Sequence, residues 1–430
     1  MAKADDVLRR YDKVISEAVR RGLVHNVAED ERLDGRTITL GGRPMVNFGS
    51  CSYLGLETHP ALRAGVVDAL DRFGTQFSSS RAYLSSPGYP VVESAIGELL
   101  GRPTILAPST TMGHMAAMPT VIGGDDLLLL DHQVHNSVQT AAKLAQAQGT
   151  RVEVIPHNEL DTLRQRIRDL RHAHPRIWYA LDGLYSMYAD FAPFAELNDL
   201  MAEHEQLWLY VDDAHSFSWT GRHGRGRALE ELNPLALSRS VVAGSLNKSF
   251  AAAGGALSFP DAEMRRRVFT LGGPLIFSGP VQPPMLGAVL ASVQLHGTAE
   301  VAERQERLRY LIQLFNRLVA DRGLPLVSRS EAPIRCIAAG GPQVAFHLAD
   351  RLRAAGYFTD VATSPAVPAK RSGACITITA HHTDEDIAGI VDVLAEALPQ
   401  ALAEEGESLA SLGWAFEPDR GDSPALPAAA

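Results

Sequence analysis

Lys248 stands in the stretch Ala243-Gly244-Ser245-Leu246-Asn247-Lys248-Ser249-Phe250-Ala251-Ala252-Ala253-Gly254-Gly255, a cation among small and apolar residues. The other lysines are Lys3, Lys13, Lys143 and Lys370, against a Lys plus Arg total of 40, so arginine supplies most of the positive charge. A lysine with apolar flanks loses hydration; its ammonium is disfavoured, and the neutral amine is a nucleophile toward carbonyl carbon. Upstream, Asp212 and His215 lie three apart in Val211-Asp212-Asp213-Ala214-His215, a spacing that lets one turn present a carboxylate and an imidazole to one ligand ring. Alone, that string reads equally well as a helix cap with a satisfied histidine. Beside Lys248 it suits amine–carbonyl chemistry.

The elements that must position these groups alternate. Between residues about 60 and 260, helical stretches near 60–72, 90–100, 112–121, 136–146, 159–171 and 195–204 interleave with apolar runs of strand type. The predicted strands are Thr104–Ala107, Leu127–Leu130, Val152–Ile155, Ile177–Leu181, Leu207–Val211 and Val241–Ala243. That alternation predicts an α/β architecture, a mostly parallel sheet with helices on both faces. Ligands of such sheets bind beyond the carboxyl ends of the strands. His135 follows one strand end, Asp182 and Ser186 another, Asp212 and His215 a third, Ser245 and Lys248 a fourth. A cofactor with an aldehyde for Lys248, a ring nitrogen for Asp212, a flat face for an aromatic side chain and a phosphate fits that set, which is the description of pyridoxal phosphate (PLP).

From about 287 the pattern changes to a long helical stretch, then strands Ile334–Ala338, Tyr357–Val361 and Ile376–Thr379 and a closing helix near 383–403. The predicted organisation is an N-terminal helix and arm over 1–46, a large domain over 47–286, a smaller α+β domain over 287–403 and a poorly ordered tail over 404–430. The helix is read over 4–22 from the spacing of Val7, Leu8, Tyr11, Val14, Ile15, Ala18 and Val19.

Composition narrows the function classes. With 46% hydrophobic residues in 430, the chain can bury a large core. A formal charge of −10 without a basic cluster argues against nucleic acid as a partner. No run approaches the ~18 apolar residues of a membrane span, and the start Met-Ala-Lys-Ala-Asp-Asp has no apolar signal core. Cys51, Cys336 and Cys375 are far apart and lack CxxC spacing, so neither a disulfide framework nor a thiolate metal site is expected. His132 and His135 lack a third ligand of fitting context, and no metal is expected. These features predict a cytoplasmic protein.

From Asn47 to Thr383 the chain resembles the α-oxoamine synthases, PLP enzymes of fold type I with a seven-stranded, mostly parallel sheet. The matching pieces are Asn47-Phe48 with Ser52-Tyr53-Leu54-Gly55-Leu56, Ser80-Arg81, His135-Asn136-Ser137, His157-Asn158, Tyr185-Ser186-Met187, Val211 to Ser216, Gly224-Arg225-Gly226, the Lys248 stretch and Phe277-Ser278. The resemblance implies that Lys248 takes the cofactor's aldehyde, Asp212 pairs with the ring nitrogen, His215 bonds the ring hydroxyl and His135 stacks on the ring. It implies that Ser186 lines the site and that Ser245 with the backbone of Thr111 and Met112 holds the phosphate. Ser278 would reach a partner subunit's phosphate, so a homodimer with shared active sites is implied.

Departures fall where the family holds its substrates. Thr363 stands where the family has an arginine for the amino-acid carboxylate, which removes a bidentate contact. Cys51 replaces an Asn, and the usual Arg near Cys375 is absent, although Lys370 and Arg371 are close by in sequence. Arg81 either touches a ligand or ties subunits together. The expected activity is PLP-dependent condensation of an amino acid or related amine with an acyl thioester, on CoA or a carrier protein, to an α-oxoamine. An aminotransferase, an aldolase or lyase, another carbon–carbon-forming PLP enzyme, or an inactive partner subunit are the alternatives.

Overall fold

The computed structural model describes residues 2–364 and 366–413. Two compact units are present: Met1–Tyr53 with Ser186–Asp190 and Arg307 onward form the first, and Leu54–Tyr185 with Phe191–Glu306 the second.

The second unit is built on a seven-stranded sheet: β1 (Thr104–Ala107), β2 (Leu127–Asp131), β3 (Arg151–Ile155), β4 (Ile177–Asp182), β5 (Leu207–Asp212), β6 (Ser240–Ser245) and β7 (Gly255–Ser258), in the order β1-β7-β6-β5-β4-β2-β3. β2 to β6 run parallel and β7 is antiparallel to both neighbours. The six strands expected from sequence are present. β7 is the one missed, because Gly-Ala-Leu-Ser lacks the β-branched residues that mark a strand. Strands β1, β2, β4 and β6 are buried throughout, as sheets covered on both faces require. One apolar layer includes Leu129, Tyr179, Leu209 and Phe250, and the other includes Leu128, Trp178, Tyr210 and Phe259.

Two helices matter for the site. α1 (Thr110–Val121) follows β1 and is capped by Ser109, whose Oγ accepts from Met112 N at 3.1 Å. α2 (Asn136–Ala147) follows β2 and is capped by His135. The long helical stretch expected from 287 is two helices, Pro283–His296 and Ala299–Asp321.

The first unit pairs Thr37–Leu40 with Arg43–Asn47 antiparallel, and adds Tyr357–Phe358 parallel to the latter. The strands in the N-terminal arm were not expected from sequence. A second sheet pairs Ile334–Gly340 with Ser372–Thr377 and that strand with Asp360–Ala362. The last strand was expected at Ile376–Thr379 and begins four residues earlier. Gly373, which reads as a breaker, is required there: a Cβ would lie 2.4 Å from Ile337 O. The N-terminal helix spans Ala2–Arg20 and the closing one Asp384–Glu404, with a full capping box at Thr383 and Asp386. Of the expected tail, Leu409–Ser411 forms a short 3₁₀ turn, and 414–430 lie outside the described residues. Among the described residues no helix is long and apolar enough to cross a membrane.

One buried histidine braces each unit. In the second, His296 accepts from Ser218 Oγ at 2.9 Å, donates from Nδ1 to Ser292 O at 2.7 Å and stacks on Phe250 at 4.4 Å, two residues past Lys248. In the first, His382 Nδ1 accepts from Thr379 N at 3.0 Å, Nε2 donates to Asn47 O at 3.1 Å and the ring stacks on Phe48 at 4.0 Å. Burial lowers both to about 4. The unfolded chain takes up these protons as pH falls through ~6.5 while the folded chain refuses them, so stability is full above ~6.5 and falls from there to ~4. Each site should cost up to about 3 kcal/mol at pH 4. Thermal unfolding across pH 7 to 4 should show a falling midpoint, with a shallower slope for His296→Asn. A midpoint flat over that window would contradict the assignment.

Candidate active site

Asp212 ends β5, its side chain 6% exposed. One oxygen accepts from Ala214 N at 3.1 Å and the other from His114 Nε2 at 2.9 Å. Burial alone would raise its pKa, but His114, which hydrogen-bonds it, and the nearby Lys248 outweigh burial and hold the carboxyl well below the usual range. Each oxygen keeps one lone pair for a further donor. Asp182, at the end of β4, is its register partner across the ladder. There burial and the Asp212 charge push the carboxyl well up, and its Oδ1 accepts from His135 N at 3.1 Å. Two adjacent carboxyls are thus driven to opposite protonation states.

Lys248 follows β6 on a turn in which Ala251 N donates to Lys248 O at 2.9 Å and Ala252 N to Leu246 O at 2.7 Å. Ser249 Oγ, buried, accepts from Leu54 N at 3.2 Å. Lys248 interacts electrostatically with Asp212, His135 and His215, which brings the four sequence-selected residues into one cluster. Burial, then Lys248, pushes His215 well below its ordinary value despite Asp212. His135 is also lowered, mainly by desolvation, although much of its surface is open to solvent. Both rings are therefore neutral at pH 7. His135 also caps α2: its Nδ1 accepts from Ser137 N at 3.2 Å. The cap uses Nδ1 and leaves Nε2 and the ring face for a ligand.

The phosphate end of the expected cofactor is tested by the backbone around Gly255. Gly255 is the register partner of both Ser245 and Ala107, and a Cβ on it would meet Thr110 N and Cα at 2.6 Å. The missing side chain lets the first turn of α1 sit against the end of β6 and the start of β7, beside buried Ser245. Thr110 Oγ1 reaches Gly244 O at 3.4 Å. Met112 N is used by the Ser109 cap, so the unpaired N–H groups a helix start leaves for an anion are those of Thr110 and Thr111. Ser245 Oγ donates to Asn247 Oδ1 at 2.9 Å. An ionised carboxylate with spare lone pairs, a lysine, two neutral imidazoles and a helix start with a hydroxyl are the donor set PLP needs.

Two other sequence-selected residues of this unit are engaged locally. Arg81 ion-pairs with Glu93 at 2.8 Å, both side chains 8% exposed, and lies 3.8 Å over the Tyr89 ring. Glu93 also binds Arg265 at 2.9 Å and Leu106 N at 3.0 Å, so Arg81 ties its loop to β1. Ser278 Oγ donates to Pro274 O at 2.5 Å.

Cys51, Ser186, Thr363, Lys370 and Arg371 belong to the first unit. Tyr53 is pushed well up by burial, with Cys51 and Cys375 beside it. Segment Ser186–Asp190 is pinned at Ala189 O by Ser328 Oγ at 3.0 Å and Ser330 Oγ at 2.5 Å, and buried Arg335 holds Ser330 Oγ at 2.8 Å. Thr363 Oγ1 accepts from Ser372 Oγ at 3.3 Å across the arch between two paired strands. Arg371 and Lys370 lie in the 3₁₀ turn leading into the second of them. Among the described residues no three His, Cys, Asp or Glu side chains form a metal-binding group.

Sequence reasoning missed His114 as a site residue and took Asp182 only as a strand end. His114 lies inside a helix among Met and Ala, where nothing in spacing separates it from an ordinary core residue.

Comparison with known proteins identifies the family of the chain. The family model described as aminotransferase class I and II matches residues 43–394. An 8-amino-7-oxononanoate synthase of Dechloromonas aromatica is 31% identical over 388 residues, 89% of this chain and 97% of that relative. One of Maricaulis maris is 29% identical over 394 residues, 90% and 95% of the two chains. Among solved structures, a Sphingomonas wittichii serine palmitoyltransferase shares the fold at a TM-score of 0.81 and 23% identity, covering 92% of this chain and 98% of that one. The chain belongs to the aminotransferase class I and II family and, within it, to the α-oxoamine synthases.

Proposed function

We propose that this chain is a PLP-dependent acyltransferase that joins an amino acid or related amine to an acyl thioester, forming a carbon–carbon bond and an α-oxoamine. The observation that carries the reading is the cluster of Lys248, Asp212, His215 and His135 at the carboxyl ends of β2, β5 and β6, in a chain matching 8-amino-7-oxononanoate synthases over nearly their whole length.

Bound PLP supplies an aldehyde that takes up amines and a ring that accepts the electron pair left at the substrate's Cα. Everything else is done by the chain's own groups. Asp212, kept ionised, holds the proton on the ring nitrogen. Neutral His215 meets the ring hydroxyl and neutral His135 covers the ring face. Ser245 and the N–H groups of Thr110, Thr111 and Met112, the last shared with its cap, hold the phosphate. Lys248 Nζ takes and returns the proton at Cα. Ser186, Cys51, Thr363, Lys370 and Arg371 are proposed to face the substrates, with Lys370 or Arg371 taking a carboxylate that Thr363 no longer forks. An aminotransferase, aldolase or lyase is the second reading, favoured by that hydroxyl at 363.

We further propose a cytoplasmic homodimer with shared sites. Tyr83 is 94% exposed and Phe277 87%, and Leu84 and Leu271 at 60% and 63% flank the same two segments, which carry Arg81 and Ser278. Such apolar exposure supports an interface on these segments. Phe277→Asp should shift the light-scattering mass from dimer to monomer; a wild-type monomer would contradict the dimer.

Purified protein should release free thiol from an acyl thioester only with an amino donor present. Amine transfer to an α-keto acid with no thiol release would favour the second reading. Lys248→Ala should abolish turnover and lose the visible absorbance of bound cofactor while leaving the fold intact. Gly255→Ala pushes the start of α1 off the strand ends and should weaken PLP binding to apoprotein by roughly tenfold or more, read by equilibrium titration. Unchanged affinity would move the phosphate elsewhere.

A further inference from the structure

His114 is fully buried, and its two ring nitrogens contact residues two apart on one strand: Nε2 meets Asp212 Oδ2 at 2.9 Å and Nδ1 meets Tyr210 OH at 3.0 Å. Tyr210 is also fully buried, and successive even positions of β5 share a face, so phenol and carboxylate reach the same ring. An ionised carboxylate only accepts, which assigns the His114 proton to Nε2. Nδ1 then has a lone pair, and the Tyr210 O–H donates to it. Burial, with Asp212 nearby, pushes the phenol well above its ordinary range and keeps that proton on oxygen. All three groups are satisfied in one proton arrangement.

We propose that Tyr210 and His114 form a fixed-tautomer relay that orients Asp212 and keeps it ionised, making His114 a positioning residue for the cofactor's ring nitrogen. This rests on the PLP reading above. α1 then serves both ends of one ligand: its first turn meets the phosphate, and one turn later His114 sets the acid opposite the ring nitrogen. Removing the relay leaves Asp212 Oδ2 buried with a lost donor, and its next most favourable state is the protonated one. A protonated Asp212 no longer discriminates in favour of a protonated ring nitrogen.

The test is equilibrium binding to apoprotein, followed by quenching of tryptophan fluorescence, with two probes: PLP and its analogue in which the ring nitrogen is replaced by CH. Wild-type protein should prefer PLP. His114→Leu should cut that preference roughly tenfold, chiefly by weakening PLP, while His114→Asn, which keeps an N–H donor, should restore most of it. Tyr210→Phe removes only the Nδ1 anchor, should lower the preference severalfold, and carries the test if His114→Leu does not fold. Equal weakening of both probes, or an unchanged ratio in these variants, overturns the relay. A wild-type apoprotein that binds PLP and the analogue equally overturns the Asp212 assignment itself, and one that binds neither overturns the PLP reading.

Discussion

A carboxylate held ionised inside a protein is the constraint on which the rest of the structure depends. Asp212 is almost entirely removed from water, and an isolated buried charge would neutralise itself by taking a proton. It stays ionised because the fold surrounds it with the His114 ring, which hydrogen-bonds it, with Lys248 and with a backbone N–H. The cost of that burial is met by groups on three different segments, so each must be delivered accurately. β5 and β6 deliver the backbone N–H and Lys248 at one edge of the sheet, and α1, which follows β1, delivers His114.

Neighbouring features follow from the same charge. Asp182 lies beside Asp212 in register, and two like charges at that separation are not both tolerated, so Asp182 keeps its proton. Lys248 is held near by a turn whose Ser249 and Phe250 are locked into the core, the latter by His296. Glycine appears where backbones must touch, at Gly255 against the start of α1. The site is therefore a consequence of core packing as much as of its polar residues.

Much of this was legible in the chain. Strand ends rich in Asp, Ser, His and Lys identified the edge of the sheet that matters, and the six β-type runs of the main sheet stand where periodicity put them. β7 was not legible because Gly-Ala-Leu-Ser carries no β-branched residue, and its Gly255 is what the close approach to α1 demands. The strand at Ser372–Thr377 was displaced for the same reason at Gly373. His114 was invisible because its meaning lies in a contact 98 residues away in sequence, which spacing does not encode. The substrate end was the least legible: Thr363 shows which contact is missing, and no local pattern names its replacement.

Lys248, and no other lysine, is proposed to take the cofactor's aldehyde. Reduction of the PLP-loaded protein with borohydride, followed by peptide mass mapping, tests it directly. The phosphopyridoxyl mass should appear on the peptide containing Lys248 and be absent from those with Lys3, Lys13, Lys143 and Lys370. Label on any of those four in preference to Lys248, or no label at all on protein that has bound PLP, would contradict the account.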